Sequence, residues 1–290
     1  MSGYLEGLLV ILAINVIAAY GAFIPLAAGQ LNLGIAGFMA IGAYVAAYLS
    51  NEMALPLALT VAGGTTAAGI VGITLGYPLL RTKGIYLVLA TLAFGELVRS
   101  GLLNLEFVGA AAGYPVGRHA GVEIVCAVAV VATMFVVWLY HTRLGLAMMS
   151  IREDEIAADQ FGVDVRSVRA IAFALGAAMA GLAGSLYAHH YTYIEAQKFN
   201  VVLSVYVAMY VLLGGVQTVI GPLLGALFFT MMPELFRIGN AWRFVIFAVV
   251  VILTMIWRPE GLVDRALVDR FKRWFSVAAG NFGIAREGPR

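Results

Sequence analysis

Residues 121–140 read GVEIVCAVAVVATMFVVWLY. From Ile124 to Val137 only Thr133 interrupts a run of aliphatic, aromatic and sulfur side chains. A helix needs about 20 such residues to cross a hydrocarbon core roughly 30 Å thick. The run is continuously apolar, whereas a barrel strand would alternate polar and apolar positions over a shorter segment. Every backbone polar group inside lipid must be satisfied within the segment, so the reading is a membrane-spanning helix. Cys126, the single cysteine of the chain, lies inside the run and reads as a small buried hydrophobe. No disulfide can form within one chain that has one cysteine.

Working outward, similar runs recur in both directions. Spans are expected near Gly7–Ile24, Leu33–Ser50, Ala54–Leu80, Ile85–Leu105, Gly121–Tyr140, Ala170–Ala188, Phe199–Leu213, Gly221–Phe236 and Ala241–Trp257. Of the 290 residues 62% are hydrophobic and 12% charged, with mean hydropathy +0.93. A soluble domain carries about 25% charged residues, so the bilayer is the solvent. Met1 to Gly7 holds Glu6 and neither Lys nor Arg. The basic start of a secretory signal is missing, and the first run is expected to remain as a span. The fold class is all-α, a polytopic integral membrane helical bundle.

Two places break the helical pattern. After Pro25 the chain runs through Gly29-Gln30-Leu31-Asn32-Leu33-Gly34, and a later stretch reads Gly214-Gly215-Val216-Gln217-Thr218-Val219-Ile220-Gly221-Pro222. Glycine-rich polar interruptions between short apolar segments mark broken or re-entrant helices. Eight or nine crossings follow, depending on how these segments run.

Basic residues give the orientation. The tail after Trp257 holds Arg258, Arg265, Arg270, Lys272, Arg273, Arg286 and Arg290; the loop from His141 to Arg169 holds Arg143, Arg152, Arg166 and Arg169; Arg81 and Lys83 form a third cluster. All three fall on one side, the cytoplasm, with two crossings between the first two clusters in the chain and four between the loop and the tail. The side of the N-terminus depends on whether Pro25–Ser50 crosses. Residues 1–264 form one membrane domain containing the cytoplasmic loop 141–169, and 265–290 form a basic cytoplasmic tail. Trp138, Tyr140, Tyr187, Tyr191, Tyr193, Trp242 and Trp257 sit at span ends as interfacial anchors. Small residues four apart, at Gly72 and Gly76, at Gly176, Ala180 and Gly184, at Ala177, Gly181 and Ser185, and at Gly221 and Gly225, predict close helix contacts.

Within the loop, residues 151–164 read IREDEIAADQFGVD. Acidic residues at its start suit a helix N-terminus, and Gly162 is a stop signal. A helix of about ten residues with Ile156, Ala157 and Phe161 on an apolar face reads as a docking peg. On spacing alone it reads equally as a solvated connecting loop. Glu96 and Arg99 lie three apart on one helix face, as a structural ion pair or as groups lining a path. Glu234 and Arg237 repeat that spacing at a span end. His189, His190 and Glu195 offer no third ligand at metal-binding spacing, so no metal site is expected.

The segment 151–164 together with residues 168–188 resembles the coupling region of branched-chain amino acid ABC transporter permeases, the LivM type in particular. The likeness extends to Gly29–Gly34 with Gly42-Ala43-Tyr44, to Thr91-Leu92-Ala93-Phe94 with Glu96 and Arg99, to Gly214-Gly215, Gly221-Pro222 and Gly225-Ala226, and to Arg258-Pro259 with Gly261-Leu262. Asn32, Ile35 and Gln217 stand where the family pattern has Ser, His and Gly. The stretch after the second motif is reduced to Gly109–Pro115.

The resemblance implies the permease subunit of an importer in the bacterial inner membrane. Residues 1–264 would be its transmembrane permease domain. A second related permease chain would share the path, two ATPase subunits would bind and hydrolyse ATP, and a periplasmic solute-binding protein would deliver the solute. Membrane lipid surrounds the chain, and no nucleic acid partner is expected. Gln30, Asn32, Tyr44, Thr91 and Glu96 are the candidate substrate path; Glu153, Glu155, Ala157, Ala158 and Gly162 are the candidate ATPase-coupling residues. Branched-chain amino acids lead as the solute, with amides, urea and aromatic acids behind.

The chain itself carries no enzyme signature and no cofactor motif. Its lysines are Lys83, Lys198 and Lys272, and none follows a phosphate-binding glycine loop. No catalytic set falls within the spans. The rival function is an ion-coupled secondary transporter, which broken helices would also suit.

Overall fold

The computed structural model describes residues 2–79, 82, 84–235, 249, 251–252 and 256. Its helices are α1 (Ser2–Ala27), α2 (Ile35–Asn51), α3 (Leu57–Leu79), α4 (Ile85–Asn104), α5 (Val122–Tyr140), α6 (Arg143–Glu153), α7 (Glu155–Gln160), α8 (Val165–Tyr191), α9 (Val201–Gly214) and α10 (Ile220–Leu235). Two-residue strands β1 (Tyr114–Pro115) and β2 (Tyr193–Ile194) pair antiparallel, Tyr114 opposite Ile194. In water, stretches as rich in Val and Ile as α5 would favour strands. In lipid the helix wins because it alone satisfies each backbone group locally.

Five helices, α1, α3, α4, α5 and α8, are long and apolar enough to cross a membrane, while α2, α9 and α10 are shorter. The chain is thus an all-α membrane protein. The first eight expected spans coincide with α1 to α5 and α8 to α10. The expected span Ala241–Trp257 lies outside the described residues apart from Val249, Val251, Ile252 and Ile256, which are helical. Arg81, Lys83, Arg237, Trp242, the side chain of Glu234, Arg258–Leu262 and the basic tail also lie outside them.

α8 is the axis of the bundle and packs against α1, α2 and α3. Its small residues at 176, 177, 180, 181, 183 and 184 are buried. A side chain at Gly42 would land on the backbone of Gly181, and one at Gly184 on that of Met39, so α2 and α8 touch main chain to main chain. Ser185 ties the same pair by donating from Oγ to the Gly42 carbonyl at 3.0 Å. Gly221 and Gly225 make the corresponding contact against Gly214 and Tyr210 of α9.

Contacts between loops define two ends. At one, Tyr140 Oη donates to the Gln217 carbonyl (2.8 Å) and Arg152 to the Val216 carbonyl (2.9 Å). This loop end carries α6, α7 and both helix breaks. At the other, Asn51 Nδ2 donates to the Pro115 carbonyl (2.6 Å), the Gly117 amide donates to Asn51 Oδ1 (2.8 Å) and Arg118 donates to the Ala54 carbonyl (3.1 Å). α1, α3, α5 and α9 run toward the loop end and α2, α4, α8 and α10 away from it, so the turn at Thr82 joins the loop end too.

Candidate functional site

The first break begins where α1 stops. Pro25 lies in the last turn and packs on Gly176, and Gly29 takes φ +77°, a left-handed conformation that glycine adopts without strain. Six residues later α2 begins inside the protein. A helix start leaves orphan N–H groups that must find partners away from water. Three elements supply them. Asn32 Oδ1 accepts from the Gly34 amide at 2.7 Å, Thr91 Oγ1 of α4 accepts from Leu33 at 3.1 Å, and Ser204 Oγ of α9 accepts from Ala36 at 2.9 Å. Asn32, Thr91 and Ser204 are each exposed by no more than 1%.

Among the expected path residues, Asn32 and Thr91 are therefore brought together, as acceptors for the backbone amides of the break just before α2. Gln30 is also buried, and Gln30 Oε1 and Asn32 Nδ2 make no hydrogen bond among the described residues. Tyr44 lies nine residues along α2, roughly 13 Å from its start at 1.5 Å per residue, so it is not part of that cluster. Its hydroxyl is buried near the Ala196 backbone without a hydrogen bond of normal geometry. Glu96 is a junction. One carboxylate oxygen accepts from Arg99 Nε at 2.9 Å, and the other accepts from the Val201 amide at 3.2 Å, which caps α9. Both side chains remain about one-third exposed, 32% for Glu96 and 29% for Arg99.

The loop helices sit directly under both breaks. Asp154 caps α7, accepting from Ile156 (2.9 Å) and Ala157 (3.0 Å). Glu155 forms a two-pronged pair with Arg169 at 3.0 and 3.1 Å, and Arg169 Nε also donates to the Ala28 carbonyl at 3.4 Å. That chain of contacts links α7 to the first break. Arg152 of α6, through the Val216 carbonyl, links the loop to the second. Between them a cleft of about 230 Å³ is lined by Met149, Arg152, Glu153 and Gln217. Ahead of α8, Ser167 hydrogen-bonds hold the exposed Asp164 carboxyl below the usual carboxylate range.

The loop departs from expectation in two ways. The single helix of about ten residues is an eleven-residue α6 followed by a six-residue α7, because Asp154 takes an extended conformation to cap the second helix. The small residue Ala158 faces inward, packed with Ile151 and Val165 and 4% exposed. The large apolar side chains exposed along and just after α7 are Ile156, at 71%, and Phe161, at 89%. Gly162 has φ +83° and open space around it, so a side chain there is opposed by backbone conformation rather than by crowding. Ser204, Arg152 and Arg169 were not among the residues expected from sequence. The two arginines read there only as orientation markers, and nothing local pairs Arg169 with Glu155, 14 residues away.

His189 and His190 are tie points at the far end. Nδ1 of His189 donates to the Arg118 carbonyl (3.1 Å) and its Nε2 shares a hydrogen bond with Thr60 Oγ1 (2.9 Å); Nδ1 of His190 donates to the Ala120 carbonyl (3.0 Å).

Residues 4–256, which hold both breaks and the loop between them, match the family model described as branched-chain amino acid transport system, permease component. The chain belongs to this permease family. Similar relatives include the high-affinity branched-chain amino acid transport system permease protein LivM of Escherichia coli, 33% identical over 81% of this chain and 64% of that protein. LivM of Salmonella typhimurium is 32% identical with the same coverage. The autoinducer 2 import system permease protein LsrC of Escherichia coli is 28% identical over 50% of this chain and 44% of that one. The chain thus spans 64% of the length of the LivM relatives. No solved structure matches it.

Proposed function

We propose that the chain is the permease subunit of an ATP-driven importer of branched-chain or related amino acids in a bacterial inner membrane. The observation that carries this reading is the double link from the loop helices: Arg169 joins α7 to the first helix break and Arg152 joins α6 to the second. A push on α7 from a separate ATPase subunit would reach both breaks through contacts already made. Two ATPase subunits would sit beneath, a second permease chain would complete the path, and a periplasmic binding protein would deliver the solute. The chain would cross nine times, with α1 and α2 each a full pass, the start of α1 outside and the C-terminus cytoplasmic. Gln30, Asn32, Tyr44, Thr91 and Glu96 remain the path candidates. Asn32, Thr91 and Glu96 also hold helix starts, so they would move when those helices move. Glu153, Glu155, Ala157, Ala158 and Gly162 would belong to the coupling segment, with Ile156 and Phe161 as its contact face.

The solute follows from the LivM likeness, with amides, urea and aromatic acids as the alternatives to test. Reconstitution decides among them. Vesicles holding the chain with its ATPase and permease partners, supplied with binding protein and labelled leucine, should accumulate solute only when ATP is present. Accumulation by this chain alone under an ion gradient would establish the secondary-transporter reading instead.

A further inference from the structure

α4 is long and apolar enough to span a membrane, yet only 11% of its span is buried, against 67% for α1 and α8. Its exposed face differs between halves. Toward the loop end it shows Ile85, Tyr86 and Leu89, ordinary lipid-facing residues. From mid-helix to the far end the exposed Leu97 is flanked by Glu96 and Arg99, each about one-third exposed, and is followed by the exposed Ser100 and Asn104. Glu96 lies eight residues, roughly 12 Å, below Asn104 at 1.5 Å per residue, too deep for a carboxylate to reach the interface.

A second observation meets the first at the same depth. The irregular stretch 195–200 packs its short turn, Ala196–Lys198, against α4 and ends at Val201, whose amide is held by Glu96. Gln197 and Lys198 are exposed there. Non-helical backbone at membrane depth is tolerated only where protein covers it or water reaches it. The middle of the exposed face of α5, with Val130, Val131 and Met134, shows what a lipid-facing surface of this chain looks like, and no charged side chain interrupts it between Ile124 and Trp138.

We propose that the far half of α4 and the turn Ala196–Lys198 form one wall of a water-filled vestibule, open on the side opposite the loop helices. That this side is the outer one rests on the orientation proposed above; the presence of water does not. The wall admits small solutes with polar ends, since its ion pair presents an acceptor and a donor fork side by side.

Single-cysteine labelling tests the wall. On a Cys126→Ala background, Leu97→Cys, Ser100→Cys and Asn104→Cys would be compared with Val131→Cys and Met134→Cys in intact cells holding the assembled transporter. A charged, membrane-impermeant methanethiosulfonate should react at 97, 100 and 104 at least about tenfold faster than at 131 and 134, because a charged reagent partitions poorly into hydrocarbon. If only a lipid-soluble maleimide labels 100 and 104, in intact cells and in inverted vesicles alike, the face meets lipid and the vestibule is wrong. If neither reagent reacts there, protein covers the face and the vestibule is equally wrong. Unreactive positions in a working ATP-driven importer would sink the vestibule alone. A reactive wall in a chain that transports without ATPase subunits would sink the importer reading alone.

Discussion

Asn32 shows how one side chain carries a structural duty in a position that sequence alone assigns to transport. Its Oδ1 satisfies the Gly34 amide in a fully buried setting. Losing that acceptor orphans a buried donor, at about 1–3 kcal/mol. Asn32→Leu is therefore expected to lower the yield of detergent-stable protein, while Asn32→Ser, which keeps a hydroxyl acceptor, retains it. Equal thermal stability of the two variants in a detergent melting assay would remove the cap from the account. Phe161 presents the opposite case. Its side chain is almost wholly exposed, so Phe161→Ala should leave stability within about 0.5 kcal/mol. If it fills a pocket on the ATPase, the same change should weaken co-purification with that subunit about tenfold or more. Ala158→Arg, by contrast, should damage the loop itself, because Ala158 packs on Ile151 and Val165.

At the scale of elements, the informative feature is how α6 and α7 are fastened to the helix breaks. Arg169 is 17% exposed at its side chain and Glu155 36%, so their pair contributes only ~0.5–1 kcal/mol to stability after solvent screening. Its larger consequence is geometric, since the same guanidinium reaches Ala28. Arg169→Met should therefore insert and assemble normally yet lower the solute moved per ATP hydrolysed, measured in proteoliposomes. Arg169→Lys should rescue little, because an ammonium cannot make the two-pronged contact and reach the carbonyl together. An unchanged transport-to-hydrolysis ratio in both variants would mean that motion reaches the first break by another route.

For the whole molecule, the alternation of helix directions places Phe161 at the loop end and Gln197 in the half toward the opposite end. Cysteine introduced at 197 should react with an impermeant reagent added to intact cells. Cysteine at 161 should react only in inverted vesicles, and a reporter fused after Arg290 should be active only in its cytoplasmic form. Labelling of both positions from the outside would overturn the orientation. The central position of α8 holds this arrangement together. Its glycines and alanines let α1, α2 and α3 approach to backbone contact.

Composition and hydropathy were enough to identify an all-α membrane protein, because lipid permits few backbone solutions and a stretch such as 121–140 admits one. The two breaks, the small-residue contacts of α8 and the turn at Gly162 were legible for a similar reason: each depends on glycine, proline or polar residues standing where an apolar helix cannot continue. The partners of those features were not legible. Ser204 reaches Ala36 across 168 residues, and Glu96 reaches Val201 across 105, so neither pairing leaves a local pattern. The inward turn of Ala158 was equally hidden, since only the packing of α6 on α8 decides which side of a six-residue helix is covered. Local chemistry determined where the chain must bend or stop, and three-dimensional packing decided which distant groups satisfy the atoms freed there.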